Sequence, residues 1–229
     1  MKRIVFLTGA GMSAESGIST FRDNGGLWEQ YNVMEVASIE GWRKNPSLMQ
    51  RFYNERREQL KDTEPNEGHK IIAELEKEFD VAVVTQNVDN LHERAGSSHV
   101  VHLHGELTKA CNEDKTEVVD IGYRSIDIDE RAKDGSRLRP FIVWFGEAVP
   151  LIEKAANITA SADIVVIIGT SMQVYPAAGL IHYAKKNAPL FLIDPNDVEK
   201  HLLKVEFIKE KASIGMKILR DRLLSDEKR

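Results

Sequence analysis

The sequence predicts an α/β fold, a parallel sheet flanked by helices with a smaller module inserted into it. Four short apolar runs recur along the chain: Arg3 to Thr8, Val81 to Thr85, Ile164 to Gly169 and Leu190 to Asp194. Each is followed by Gly, Asn, Asp or Pro and then by a helical pattern, as strand-crossover-strand units require. The runs are apolar throughout rather than alternating, so both faces of the sheet are expected to be covered.

The first strand runs into Gly9-Ala10-Gly11-Met12-Ser13-Ala14. Between the first two strands, Asp23 to Phe79 reads as several helices, including an amphipathic run from Pro46 to Leu60. After Val81 to Thr85, Asn87 and Asp89 can cap a helix predicted from Val88 to Ala95. Val100 to His104 is a further short extended run, and Ile142 to Phe145 ends another strand or extended loop. Thr108 to Arg139 is rich in charge, with a loose alternation through Val119, Ile121, Tyr123, Ile126 and Ile128 that predicts small exposed strands. The expected organisation is one unit spanning 1–229. Its Rossmann-like core covers approximately 1–24, 80–107 and 140–229, and its small domain comes from insertions at approximately 25–79 and 108–139. Ser225 to Arg229 is expected to be disordered.

With 42% hydrophobic residues in 229, the chain can bury one large core, or a core plus a small satellite. Acidic residues outnumber basic ones 36 to 31 and no Lys/Arg block stands out, which argues against nucleic acid as a direct partner. The start, MKRIVFLTGAG, looks superficially like a secretory signal, but the apolar run Ile4 to Leu7 is too short and breaks into glycines. No apolar run is long enough to span a bilayer, so the expectation is a soluble, cytoplasmic monomer with no membrane partner. Cys111 is the single cysteine, which excludes an internal disulfide and a Cys-rich zinc site within one chain.

The loop Gly9 to Ala14 fits the G-x-G-x-x-G/A pattern, in which missing side chains let backbone N–H groups approach a pyrophosphate. The same string also suits a tight strand-to-helix turn whose glycines adopt positive φ. An acidic strand end about 20 residues further on, the usual second half of the dinucleotide fingerprint, is missing, so an ordinary dehydrogenase is not indicated.

The loop continues to Arg22 as GAGMSAESGISTFR and closely resembles the NAD-binding signature of sirtuins. In the same order as in that family come Thr85-Gln86-Asn87-Val88-Asp89, His102-Leu103-His104-Gly105-Glu106, Val143-Trp144-Phe145-Gly146-Glu147, and Gly169-Thr170-Ser171 with Val174 and Pro176-Ala177. The resemblance implies NAD as a consumed co-substrate. It places Gly9, Ala10, Gly11, Ser13, Ala14, Glu15, Phe21 and Arg22 around the diphosphate and nicotinamide ribose, with Phe21 to Trp28 closing over them. Gln86 and Asn87 are implied to bind that ribose and position water, with Val88 beside them, and Asp89 to accept from the nicotinamide carboxamide. Gly169, Thr170 and Ser171 are also implied to bind the cofactor, and Asp194, Pro195, Asn196 and Ala212 fall toward its adenosine end, where Asp194 stands in place of the asparagine of most relatives. His104 is implied as the catalytic base, with Asn87 assisting. In the family's reaction the acyl-lysine oxygen attacks the ribose, nicotinamide leaves, and the histidine deprotonates a ribose hydroxyl that takes over the acyl group. Water then releases lysine and 2′-O-acyl-ADP-ribose. His99 and His102 compete with His104 on the same run, but only His104 precedes Gly-Glu. Val143 to Glu147 resembles the strand that pairs with the substrate peptide, a mode that reads little sequence; its other reading is an ordinary buried strand end.

On the helix Pro46 to Leu60, Tyr53 and Arg56 are three apart and share a face. They resemble the Tyr-x-x-Arg pair of desuccinylase and demalonylase sirtuins, in which phenol and guanidinium bind a free acyl carboxylate, a task suited to the planar Arg fork. The plainer reading packs Tyr53 in the core and pairs Arg56 with a neighbouring glutamate. Most sirtuins bind zinc between the His-Gly-Glu block and the stretch matching Arg139-Pro140. Here only Cys111 lies in that interval, so no structural zinc is expected. The expected function is an NAD-dependent protein-lysine deacylase acting on acylated proteins or peptides, preferring succinyl or malonyl and also accepting acetyl. NAD hydrolysis, ADP-ribosyl transfer, or non-enzymatic sensing of NAD or ADP-ribose are the alternatives.

Overall fold

A computed structural model describes residues 1–19, 31–170, 174–197 and 205–226. Strands β1 (Arg3–Thr8), β2 (Asp80–Thr85) and β3 (Val100–His102) lie in the first half of the chain. A small antiparallel sheet follows, made of β4 (Gly105–Cys111), β5 (Val118–Asp120) and β6 (Arg139–Ile142) with β4 in the middle. Strands β7 (Ile164–Ile168), β8 (Leu190–Ile193) and β9 (Val205–Ile208) complete a six-stranded parallel sheet in the order β3-β2-β1-β7-β8-β9. The strand order reverses between β1 and β7. Loops leaving their carboxyl ends therefore diverge and open a crevice there, where ligands bind in sheets of this kind.

Alternate side chains of each central strand point to opposite layers, which is why the runs are apolar without interruption. Ile4, Phe6, Val83, Val166 and Ile168 pack under helices α5 (Glu67–Glu74) and α8 (Ala212–Asp226). Val5, Leu7, Val84, Val165 and Ile167 pack under α7 (Ile152–Ser161) and the 3-10 helix Ala177–Tyr183. A third core lies outside the large sheet. There α3 (Ile39–Lys44) and α4 (Pro46–Lys61) bring Trp42, Phe52, Tyr53 and Leu60 against Leu107, Ile142 and Trp144. Asn45 caps α4 by accepting from Leu48 N–H, with Pro46 in the first turn.

The two insertions are tied to each other by α4. Arg57 Nε donates to Leu107 O at 2.6 Å, and the Asn54 amide both donates to Ile126 O and accepts from Ile126 N–H. Burial lowers the Arg57 pKa to about 10, with Arg124 adding to the effect. Ala110, Ile121, Ile126 and Leu138 form a fourth, small core within the charged stretch.

Several boundaries differ from the sequence expectation. Helix α5 lies inside the stretch assigned to the first insertion (25–79), but Ile71 and Ile72 are fully buried against the large sheet, so it belongs to that layer. The small sheet begins at Gly105 rather than at Thr108, while Ile142 to Phe145 is the end of strand β6 running into an extended loop, as expected. The helix expected from Val88 starts at Leu91, as α6 (Leu91–Ala95), because Asp89 Oδ1 accepts Leu91 N–H and holds residues 87–90 out of the helix. Strand β9 was not anticipated, since Val205-Glu206-Phe207-Ile208 follows no strong turn signal and carries a glutamate. Helix α8 continues through Ser225 to Asp226, correcting the disorder expected from Ser225; residues 227–229 lie outside the described residues. Among the described residues no helix is long and apolar enough to cross a membrane.

Helix α8 lies close to β8. A Cβ on Gly215 would sit 2.2 Å from Ile193 Cγ2, inside a core with no slack. Gly215→Ala is expected to lower unfolding free energy by about 1–3 kcal/mol despite alanine's better helix propensity. An unchanged urea midpoint would show that α8 is not held at this spacing.

Candidate active site

A cavity of about 880 Å³ opens at the carboxyl ends of the parallel strands, between the large sheet and the α3/α4 layer. Its floor depends on a close approach of two glycine loops. Gly9 N–H donates to Ile168 O and Gly11 N–H to Gly169 O. A Cβ on Gly11 would lie 2.6 Å from Gly169 Cα, and one on Gly169 would lie 2.4 Å from Met12 N. Gly169 also has φ +60°, whereas Gly9 and Gly11 are not among the positive-φ residues. The first loop therefore needs glycine for contact rather than for left-handed backbone, a correction to the turn reading.

The chain after β2 is bonded to this floor. Asn87 Nδ2 donates to Gly9 O at 3.0 Å and to Ser13 Oγ at 3.1 Å, so Oδ1 is the group Asn87 can offer a ligand. Gln86 Nε2 donates to Thr170 Oγ1 at 3.1 Å. Asp89 is buried, its Oδ2 accepts from Ser13 Oγ at 2.9 Å, and burial pushes its carboxyl above the usual range against these bonds.

The histidines around the site differ in protonation. His104 Nδ1 donates to Gln86 O at 3.1 Å, which fixes the tautomer and leaves Nε2 with a free lone pair. Burial lowers the His104 pKa, partly offset by that bond, so the ring is neutral at neutral pH. His102 faces two acceptors, Asn87 O at 2.9 Å and Glu93 Oε1 at 2.7 Å, so both of its nitrogens carry protons. Burial opposes that charge, but Glu93 raises the pKa overall, and His102 is not on the cavity wall. His104 is thus distinguished from its neighbour by its partners. Gly105, at φ +83°, turns the chain at once into β4, where a Cβ would meet Phe141 O at 2.0 Å.

The cavity wall brings together most residues singled out in the sequence: Gly9, Ala10, Gly11, Ser13, Ala14, Glu15, Gln86 to Asp89, His104, Gly169, Thr170 and Asp194 to Asn196. Tyr53, Arg56 and Val143 to Glu147 share it. Ala212 does not. It is buried in the core at the start of α8, and its neighbour Lys211 reaches the wall instead. Phe21, Arg22, Trp28 and Ser171 lie outside the described residues. Glu15 has a second task, accepting from Ser213 N–H and Oγ beside the first turn of α8.

Within 143–147, Trp144 N–H donates to Glu147 Oε2 and Trp144 O accepts Glu147 N–H. Phe145 N–H and C=O are bonded to Ala37 and Ile39. The Trp144 and Phe145 backbones are therefore already in use, which limits strand-like pairing with a peptide to the rest of the segment. On α4, Tyr53 packs in the core as its plainer reading required, while its hydroxyl accepts from Trp144 Nε1 at 2.9 Å. Arg56 is 3.8 Å from Glu55 through Nη2 and its guanidinium lies over the Phe52 ring, yet its Nε and Nη1 are buried with no hydrogen-bond partner among the described residues.

Sequence reasoning missed the buried histidines beneath the floor. His69 Nε2 is 3.5 Å from Ser13 Oγ, His92 Nε2 is 3.2 Å from Thr8 Oγ1, and the two rings meet edge to face at 4.8 Å. His92 falls in the helix predicted from Val88 to Ala95 and His69 in the helical stretch Asp23 to Phe79, and neither was singled out as a site residue. It also missed the apolar wall of Ile18, Leu107, Val149 and Ile181, contributed by two loops, β4 and the 3-10 helix. No group of three or more His, Cys, Asp or Glu side chains among the described residues is arranged to hold a metal. Cys111 is buried, its thiol pushed up to about 11 chiefly by burial, and it does not fit a zinc site.

Residues 9–176 match a profile of the Sir2 family. The chain is 54% identical to an NAD-dependent protein deacylase of Bacteroides thetaiotaomicron, covering 98% of this chain and 99% of that one. It is 51% identical to an NAD-dependent protein deacylase of Helicobacter pylori, covering 98% of each. Among solved structures it is similar to a Sir2 homologue in complex with NAD (35% identity, TM-score 0.88, 98% of this chain and 90% of that one). A serine-to-alanine variant of a Sir2 homologue bound to ADP-ribose superposes with TM-score 0.92 at 35% identity, covering 99% and 94%.

The buried neutral histidines make a testable contribution to stability. Burial holds the His69 pKa down to about 4, below the ordinary 6.5. Below pH 6.5 the unfolded chain takes up a proton that the folded chain refuses, so stability is lost as pH falls toward the folded value. Relative to pH 7, His69→Gln is expected to gain on the order of 2 kcal/mol over the unsubstituted protein at pH 4.5, by denaturant unfolding. A difference that does not vary with pH would contradict a buried neutral His69.

Proposed function

The chain belongs to the Sir2 family, and from that premise we propose that it is a lysine deacylase whose preferred acyl groups end in a carboxylate, succinyl or malonyl, with acetyl also admitted. It is an NAD-dependent protein deacylase, and NAD is its co-substrate. The observation that carries the finer reading is Arg56. Two of its guanidinium nitrogens are buried on the cavity wall without a hydrogen-bond partner among the described residues, beside Tyr53 and in the same cavity as His104. A buried guanidinium with open donors gains most from a carboxylate, which it can bind with two charged hydrogen bonds.

The glycine floor, Gln86 and Asn87 Oδ1, and the Asp194 to Asn196 edge fit a dinucleotide laid across the strand ends. When bound, NAD supplies a ribose carbon from which nicotinamide can depart and a hydroxyl that receives the acyl group. His104 Nε2 is the proton acceptor for that hydroxyl, oriented by the Nδ1 bond to Gln86 O. Asp89, held by Ser13, offers an acceptor in the cavity for a carboxamide N–H. Proteins or peptides bearing acyl-lysine are the substrates, entering past Phe145 and Gly146, and nicotinamide, free lysine and 2′-O-acyl-ADP-ribose are the products. The α2–α4 helices, with α2 spanning Val33–Val36, and the β4–β6 sheet act as the small module that supplies the acyl pocket.

Mass spectrometry of the protein with NAD and matched succinyl-lysine and acetyl-lysine peptides tests this. Faster succinyl removal with all three products is expected. Nicotinamide release without deacylation would replace the proposal with NAD hydrolysis or ADP-ribosyl transfer, and NAD binding without turnover would replace it with a sensor. His104→Ala is expected to cut deacylation by roughly 10²–10⁴-fold while NAD still binds in calorimetry. Arg56→Met is expected to lower kcat/KM for the succinyl peptide roughly 10- to 100-fold more than for the acetyl peptide. Equal losses on both would remove the carboxylate clamp.

A further inference from the structure

The acyl end of the cavity is backed by buried polar groups that the reaction itself does not use. Trp144 is 2% exposed, and its indole N–H donates to Tyr53 Oη at 2.9 Å. A phenol hydrogen lies in the ring plane and can point to either side of the oxygen. A donor occupying one side leaves the hydrogen the other. Among the described residues the Tyr53 hydroxyl has no acceptor for its own hydrogen, so that hydrogen remains available to a ligand.

Trp144 is itself fixed from two directions. The Arg139 guanidinium lies 3.5 Å from its ring centre, and the Trp42 ring packs 5.2 Å away. Its main-chain N–H is taken by Glu147 Oε2 at 2.8 Å. Glu147 also accepts two bonds from fully buried Arg139, at 2.9 and 3.1 Å, and one from Lys115 at 2.8 Å. Buried pairs of this kind contribute little net stability, but they fix geometry because breaking one leaves an uncompensated charge.

We propose that Trp144 is a positioning residue for acidic-acyl recognition: held by Arg139 and Glu147, its indole N–H turns the Tyr53 hydroxyl hydrogen toward the acyl carboxylate, beside the open donors of Arg56. The proposal rests on the acidic-acyl reading given above. Burial of the phenol, which pushes its pKa up, keeps that hydrogen in place at any working pH. Trp144 acts on the ligand only through Tyr53, so its contribution must vanish when the hydroxyl is absent.

The test is a double-mutant cycle on the ratio of kcat/KM for succinyl over acetyl peptide, a ratio from which a general loss of activity cancels. Trp144→Phe is expected to lower the ratio roughly five- to tenfold, mainly through the succinyl KM, as for loss of one oriented hydrogen bond. Tyr53→Phe is expected to do the same, and the double variant to be no worse than Tyr53→Phe alone. Independent, additive losses, or an unchanged ratio in Trp144→Phe, would overturn the relay while leaving the succinyl preference standing. A wild-type protein without succinyl preference would remove both. If Trp144→Phe does not fold, benzothienylalanine at position 144 keeps the bicyclic shape and replaces N–H by sulfur; the same fall in ratio is expected, and an unchanged ratio overturns the proposal.

Discussion

The close packing of Gly9 and Gly11 on Gly169 is the constraint on which the rest of the site depends. A parallel sheet buried on both faces sends its polar chemistry to the strand ends, and here two strand-end loops meet with no side chain between them. The contact presents Gly9 O to Asn87 Nδ2, and Asn87 in turn holds Ser13, which holds Asp89. Widening the loops by one methyl group would displace this series of buried hydrogen bonds, each of which costs more to leave unmade than it contributes when made.

A second buried arrangement governs the opposite wall. Arg139, Glu147 and Lys115 tie β6, the segment after it and the turn before β5 into one charged cluster. Asn112 adds a neutral hub, its amide nitrogen and its two hydrogens shared among Asp114, Thr116 and Asp134 and its oxygen accepting from Glu117 N–H. The groups around Asn112 lie in the charged insertion between β4 and β6. They fix the short loops of a sheet whose own apolar core is only a few residues.

Electrostatics then assigns roles among side chains of the same type. His69 and His92 are kept neutral by burial, which outweighs the opposing pull of Glu93 on His69. His102 sits between a carbonyl and Glu93 and is charged, and His104 keeps one nitrogen bonded and the other open. A base that acts near neutral pH needs the last of these environments. Glu93 answers His102: burial acts to raise its pKa, but bonding to the imidazolium holds it below the usual carboxylate range.

By itself the sequence determined the α/β class, the central strands and most of the residues that line the crevice, His104 among them. These follow from local patterns: uninterrupted apolar runs, a glycine-rich turn, and short motifs in fixed order. The tertiary structure decided what depends on distant partners. Helix α5 joins the large sheet through Ile71 and Ile72, which no periodicity could assign to one core over another. His102 and His104, two residues apart, differ because one meets Glu93 and the other Gln86 O. Arg56 has a nearby glutamate, as a surface arginine would, yet two of its nitrogens are buried with no hydrogen-bond partner among the described residues. Burial is a property of the whole packed molecule, and helix spacing cannot supply it.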